Sequence, residues 1–253
     1  MNSDTLKALA LVAHRGYPAA FPENTLLGYQ QAVNQGARYV ETDIQCTRDG
    51  VPILYHDDST QRLSGVAGAI TGRTMAELGQ VSAHHPERFG DRFAGTPIPT
   101  LKAFAGWLAQ HPSVIAFVEV KEESLNRFGV DVVMAQVAGA LEGVEQQSVI
   151  ISFDDRCIEH TANRYEFHTG WVLPEWHPGF ESRARRLSPD YLFGDAEFLP
   201  KHRADIWAGP WQWAVYVIDD LTEALSWVEN GVVLVETDAI GDMLDLYRAG
   251  SPG

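Results

Sequence analysis

Only two cysteines, Cys46 and Cys157, occur in 253 residues. They show no CxxC spacing and no clustering with histidine, which excludes a zinc-ribbon site and a fold stapled by disulfides. They read as reduced thiols of a cytoplasmic protein. Basic residues are also scarce, with 19 Lys and Arg against 34 Asp and Glu, a formal charge of −15. A surface of that sign repels phosphate backbones and anionic lipid, so nucleic acid and stable membrane association are excluded as partners. No run approaches the ~18 apolar residues of a membrane span. The opening MNSDTLKALALVAHRG carries an acid where a leader carries basic residues, and leaves no room for a cleavage site. Low-complexity tracts, linkers and repeats of residue identity are missing as well.

What the chain does have is apolar material. Hydrophobic residues make up 45%, including seven Trp, eight Tyr and eleven Phe, enough for a sizeable core. They recur as short β-branched runs separated by longer amphipathic segments. The runs are Leu9–Ala13, Arg38–Ile44, Val114–Val120, Ser148–Phe153, His168–Leu173, Asp190–Phe193, Trp213–Val217 and Val232–Glu236. Helical patterns cover Glu23–Gln35, Leu101–Gln110, Val130–Leu141, Arg156–Tyr165, Thr222–Asn230 and Asp242–Arg248. Gly36 and Gly231 stand where helices stop. Eight strands alternating with helices predict an α/β fold, a (β/α)8 TIM barrel, with residues 1–253 as one domain. A doubly wound sheet would want a Gly-rich phosphate loop after its first strand, and none is present. Residues 51–99 break the alternation. They are rich in Gly, Thr, Ser and Pro and hold one strand-like run, Val51–Tyr55, so they read as a small insertion after the second strand.

Three strand ends carry dense ionisable groups: Ala13-His14-Arg15-Gly16, Val40-Glu41-Thr42-Asp43 and Phe117-Val118-Glu119-Val120-Lys121. Alternation along a strand puts Glu41 and Asp43 on one face, and Glu119 and Lys121 on one face. In a barrel these are the C-terminal ends of the first three strands, so the carboxylates of Glu41, Asp43 and Glu119 converge. Three such charges stay ionised together only around a cation, and an all-oxygen set suits Mg²⁺ or Ca²⁺. The turn Arg48-Asp49-Gly50 folds the next run back and brings His56 near this point, opposite His14. Two facing histidines suit phosphodiester cleavage, one taking a proton from the nucleophile and the other giving one to the leaving alkoxide. Arg15 and Lys121 are the cations available to grip a phosphate.

These residues, with Pro22-Glu23-Asn24-Thr25, Thr47-Arg48-Asp49-Gly50, His56-Asp57, Pro99-Thr100-Leu101 and Ser152-Phe153, make a pattern that resembles the glycerophosphodiester phosphodiesterase family. The resemblance spans nearly the whole chain and is sharpest at the N-terminal block. It implies hydrolysis of a small-molecule glycerophosphodiester to an alcohol and sn-glycerol 3-phosphate. It implies Glu41, Asp43 and Glu119 as ligands of a divalent cation, His14 and His56 as the acid–base pair, and Arg15 and Lys121 as phosphate-binding residues. His14 is assigned as general base and His56 as general acid. The nucleophile is either water or the substrate's own glycerol 2-hydroxyl. Asn24 sits near the site in this pattern without a defined role.

Two departures stand out. The seventh strand ends Tyr216-Val217-Ile218-Asp219 where the family often has Trp-Thr-Val-Asn. The eighth ends Glu236-Thr237-Asp238 where an apolar residue usually precedes Thr-Asp. Glu236 reads either as a rim residue or partner of a nearby Arg, or as a residue that alters which group is accepted. Asp238 reads as an N-cap for the last helix. Trp171 to Pro178 reads equally as an aromatic rim for the alcohol portion and as a packed loop. His84-His85 lacks a third ligand and belongs to the insertion loop. A lysolipid phospholipase D and a non-catalytic metal and phosphodiester binder are the rival readings. The acidic surface opposes the first, and the presence of both histidines opposes the second.

Overall fold

The computed structural model describes residues 3–250; residues 1–2 and 251–253 of the expected 1–253 domain lie outside the described residues. Eight parallel strands close into a barrel: β1 Ala10–Ala13, β2 Tyr39–Cys46, β4 Ile115–Val120, β5 Ser148–Ser152, β6 His168–Val172, β7 Tyr191–Asp195, β8 Gln212–Tyr216 and β9 Leu234–Thr237. β1 pairs with both β2 and β9, which completes the closure. The short β3, Pro52–Leu54, runs antiparallel to the far end of β2.

The period-two alternation of these strands sorts side chains into two apolar layers. Leu11, Val40, Val118, Ile150, Leu192, Val215 and Val235 point outward and pack beneath the helices. Val12, Phe117, Val149, Ile151, Val172, Phe193, Ala214 and Leu234 fill the barrel interior. Phe117 is fully buried there, and burial of a side chain that size contributes about 1.5–3 kcal/mol.

Helices follow most barrel strands, as the sequence predicts: Leu26–Asn34, Leu101–Leu108, Val130–Ala140, Asp155–Arg164, Leu221–Glu229 and Ile240–Gly250. The first begins three residues later than expected. Its N-cap is Thr25, whose hydroxyl accepts from Gly28 N–H, and Asn24 before it is in the left-handed region at φ 54°. Gly36 ends this segment at φ +98°, a conformation a side chain would strain. A helix the sequence reading leaves out, Pro178–Leu187, follows β6; Phe180, Ala184 and Leu187 face the core, but only Ala184 is fully buried. Between β7 and β8 only the 3₁₀ turn Arg203–Asp205 forms.

The insertion has a core of its own: Ile53, Tyr55, Leu63, Ile70, Leu78, Val81, Ala83 and Ile98. Its two ends meet, since Leu54 N–H donates to the Pro99 carbonyl, 2.9 Å, and Ile53 bridges Thr100. Short helical turns, Gln61–Ser64 among them, surround this core. Tyr55 N–H donates to the Asp43 carbonyl, so the insertion is anchored at the C-terminal rim beside His56.

Candidate active site

The predicted residues converge at the C-terminal mouth, where barrel enzymes place their chemistry. A cavity of about 140 Å³ is lined there by His14, Arg15, His56, Glu119, Lys121 and Glu236 on one side. Ile151, Phe153, Val172, Phe193 and Tyr216 line the other. The mouth is divided by strand: the charged and imidazole groups come from β4 and β9 and from the ends of β1 and β3, the apolar and aromatic ones from β5 through β8 and their ends. A larger cleft, about 710 Å³, opens at the opposite end of the barrel beside Tyr39, Tyr191 and Tyr247. Its lining brings together no such acid–imidazole set.

Three carboxylates, Glu41, Asp43 and Glu119, each offer an oxygen within 4.8 Å of the others, and all three residues are buried. Their neighbours hold them rigidly. Asp43 Oδ1 lies 2.6 Å from Lys121 Nζ, and its Oδ2 lies 3.1 Å from Arg15 Nε and accepts from Asn24 Nδ2 at 2.8 Å. Lys121 Nζ also donates to Glu119 Oε1 at 2.6 Å. Glu41 Oε2 accepts from the Arg15 N–H, 3.0 Å, while its buried Oε1 has no hydrogen-bond partner. Burial alone would raise the Asp43 carboxyl, but Lys121 and Arg15 outweigh it and hold it well below the usual carboxylate range. Burial, with Asp43 and Glu236 alongside, pushes Glu41 well above that range. A buried acid repelled by its neighbours, with one oxygen lacking a donor, fits a cation held among these three residues. The all-oxygen donor set is of the kind hard divalent cations take.

Each imidazole is held from behind by an aspartate. His14 Nδ1 and Asp238 Oδ1 are 2.7 Å apart, and His56 Nδ1 and Asp57 Oδ1 are 2.8 Å apart. With Nδ1 engaged, the Nε2 atoms are the ones left for chemistry. His14 Nε2 lies 4.0 Å from Glu41 Oε2. The Asp238 contact corrects the N-cap assignment. Asp219 Oδ1 accepts from Asp238 N–H and Ala239 N–H at the start of the last helix, which frees the Asp238 side chain for His14.

A second set of residues, unassigned from sequence, ties these pairs together. Arg62 from the insertion donates to Asp57 through Nε and Nη2, each at 2.8 Å. It also donates to Glu23 through Nη1 and Nη2, at 2.7 and 2.8 Å. Glu23 in turn lies 3.3 Å from Arg15 Nη1. Asn24 acquires a role: its carbonyl oxygen accepts from Tyr29 O–H, Thr42 O–H and Asp43 N–H, while its amide donates to Asp43. Arg15 itself is left-handed at φ 51° and is followed by Gly16 at φ +94°. A Cβ on Gly16 would come within 3.0 Å of Gly28 backbone, so the His-Arg-Gly turn presses directly on the first helix. A signal for Asp57 was present in its adjacency to His56. Nothing in the spacing singles out Arg62.

Glu236 is neither exposed rim nor the partner of an arginine. It is 4% exposed, its Oε1 has no hydrogen-bond partner, and burial beside Glu119 and Asp43 raises its carboxyl well above the ordinary range. Of the Trp171–Pro178 segment only Val172 lines the cavity, while its tryptophans pack elsewhere. Trp176 stacks on Trp207 with ring centroids 4.0 Å apart, and Trp171 Nε1 donates to the Phe153 carbonyl. Cys46 and Cys157 are free and buried. Among the described residues no helix is long and apolar enough to cross a membrane.

Comparison with known proteins agrees with this geometry. A family model described as the glycerophosphoryl diester phosphodiesterase family matches residues 14–166. A glycerophosphodiester phosphodiesterase of Caldanaerobacter subterraneus is 25% identical over 248 residues, covering 95% of this chain and 98% of that one. Mouse glycerophosphodiester phosphodiesterase 1 is 35% identical over 109 residues, covering 43% of this chain and 33% of that protein. In fold the chain is similar to an Oleispira antarctica phosphodiesterase solved with the product sn-glycerol-3-phosphate: TM-score 0.85, 24% identity, 97% of this chain and 99% of that one. With more than half its length matched and both imidazoles and the acidic triad at one barrel mouth, the chain belongs to the glycerophosphoryl diester phosphodiesterase family.

Proposed function

We propose that this chain hydrolyses glycerophosphodiesters to an alcohol and sn-glycerol 3-phosphate, the barrel and its insertion acting as one catalytic unit. The observation that carries the reading is the pairing of two aspartate-held imidazoles in one cavity that Glu119 of the acidic triad also lines. Glu41, Asp43 and Glu119 are the residues that hold a divalent cation, Mg²⁺ or Ca²⁺. When bound, such a cation neutralises charge on the phosphoryl oxygens.

The protein's own groups do the rest. Asp238 and Asp57 fix which ring nitrogen faces the cavity and stabilise the imidazolium that forms when Nε2 takes a proton. His14 is assigned as the base that deprotonates the attacking hydroxyl, and His56 as the acid that protonates the departing alkoxide. Lys121 stays charged because Asp43 and Glu119 raise its pKa against the effect of burial. Together with Arg15 it supplies fixed positive charge in an otherwise acidic protein. That local charge answers how a chain of net charge −15 attracts an anionic substrate.

The test is release of glycerol 3-phosphate from a panel of glycerophosphodiesters, with and without a chelator. Wild-type protein should release it in a chelator-sensitive way. His14→Ala and His56→Ala should each slow release by at least about 10²-fold. Full activity in both variants would remove the acid–base assignment, and chelator-resistant activity would remove the cation.

A further inference from the structure

The buried carboxyl of Glu236 has no task in the chemistry above. It projects from β9 on the face that also carries Leu234, a residue of the barrel interior, and it lines the reaction cavity. Its Oε1 is buried without a hydrogen-bond partner. The acids whose oxygens lie within 4.8 Å of one another are Glu41, Asp43 and Glu119, and Glu236 is not of that set. The nearby cations are already committed, Arg15 to Asp43 and Glu23, and Lys121 to Asp43 and Glu119. No donor within the described protein satisfies this oxygen.

A buried carboxyl oxygen without a donor is costly, and a ligand that brings one removes the cost. The acceptor character of that oxygen restricts what the ligand portion can be. A phosphodiester oxygen brings no hydrogen to give and belongs with Arg15, Lys121 and the imidazoles. What reaches Glu236 Oε1 must donate, which describes an alcohol O–H. Ile151, Val172 and Phe193, from β5, β6 and β7, line the cavity with apolar surface that suits a carbon skeleton. The cavity, about 140 Å³, is far below the ~300–1,000 Å³ of sites that enclose drug-sized ligands. It admits a short polyol phosphate and leaves a larger head group outside.

We propose that Glu236 accepts a hydrogen bond from a hydroxyl of the glycerol phosphate portion and so makes this site selective for a polyol over a plain alkyl phosphate. The inference rests on the glycerophosphodiester reading and adds the residue that recognises the glycerol.

Binding measurements separate the two ideas. Calorimetry in saturating Mg²⁺ compares sn-glycerol 3-phosphate with propyl phosphate, which keeps three carbons and loses both hydroxyls. Wild-type protein should bind glycerol 3-phosphate roughly 10–100-fold more tightly. Glu236→Leu should collapse that ratio toward one by weakening glycerol 3-phosphate alone. Glu236→Gln, which keeps an acceptor oxygen with little change of shape, should retain most of the preference and serves if the Leu variant fails to fold. Equal binding of both ligands by wild type, or equal weakening of both in the variants, overturns the proposal. So does a loss of Mn²⁺ affinity in Glu236→Gln, which would make Glu236 a cation ligand instead. Hydrolysis of glycerophosphocholine by the wild-type protein is run alongside. Its absence would refute the proposed function, whereas its presence with no ligand preference would refute only the role of Glu236.

Discussion

Removing Arg62 should damage both the fold and the rate, by amounts the geometry sets. Its guanidinium donates four hydrogen bonds of 2.7–2.8 Å, two to Glu23 and two to Asp57. Bonds to charged partners contribute about 1.5–3 kcal/mol each when buried. Here the Arg62 side chain is 35% exposed and Asp57 23%, so solvent screening lowers the sum. Glu23 is only 7% exposed and would keep a single longer contact to Arg15. Together these give a loss of roughly 2–4 kcal/mol for Arg62→Met. At this chain length that is a fall in Tm of roughly 5–10 °C. Arg62→Lys should recover little, because a single ammonium cannot serve two carboxylates as a planar fork does. The rate should fall about 10-fold, since Asp57 keeps His56 but is no longer braced. The effect has a pH signature. Burial would raise the Asp57 carboxyl, but His56 and Arg62 hold it well below the usual range. A carboxyl depressed in the folded state adds stability above its unfolded pKa of ~3.9 and loses it as pH falls through the folded value. The gap between wild type and Arg62→Met should therefore be full near pH 7 and close below about pH 4. Thermal unfolding across pH, with a double-mutant cycle against Asp57→Asn, reads all of this. An unaltered Tm, or strictly additive effects of the two substitutions, would refute it.

Asp238→Ala should lower kcat by about 10²-fold through loss of the His14 ring orientation, with KM for glycerophosphocholine little changed; an equal rise in KM would show that Asp238 binds substrate instead. Mg²⁺ at about 100 times its Kd should stabilise the protein by roughly 2.7 kcal/mol, seen as a raised Tm. Glu41→Gln should abolish that increment yet leave the Tm of the metal-free protein unchanged or higher, because an uncharged amide of the same shape replaces a carboxyl that burial, Asp43 and Glu236 already push toward its neutral form. A metal-free Glu41→Gln protein that melts well below wild type would contradict the repulsion.

The barrel and the triad were legible because they rest on a period of two. Leu11, Val40 and Val118 alternate with Val12, Glu41 and Phe117, so the sequence alone places Glu41, Asp43 and Glu119 on inward faces. What escaped depends on backbone conformation and distant partners. The helix expected from Glu23 starts at Leu26, because Asn24 turns left-handed to reach Asp43. Asp238 has the composition and position of a cap, but Asp219, nineteen residues earlier, serves that end. Pro178–Leu187 turns inward only through Phe180, Ala184 and Leu187 among charged neighbours, too sparse a pattern to stand out in the sequence. Glu236 reads as an oddity of composition until its burial and missing partner are seen.

The separate core of the insertion has a consequence for how the protein fails. His56 rides on a module stabilised by Ile53, Tyr55, Leu63 and their neighbours, while His14 grows from a barrel stave. Cooperative units with their own cores open at their own free energies. Warming or mild denaturant can therefore detach one half of the proton-handling pair while the staves stay closed, and catalysis stops in a molecule whose circular dichroism still looks native.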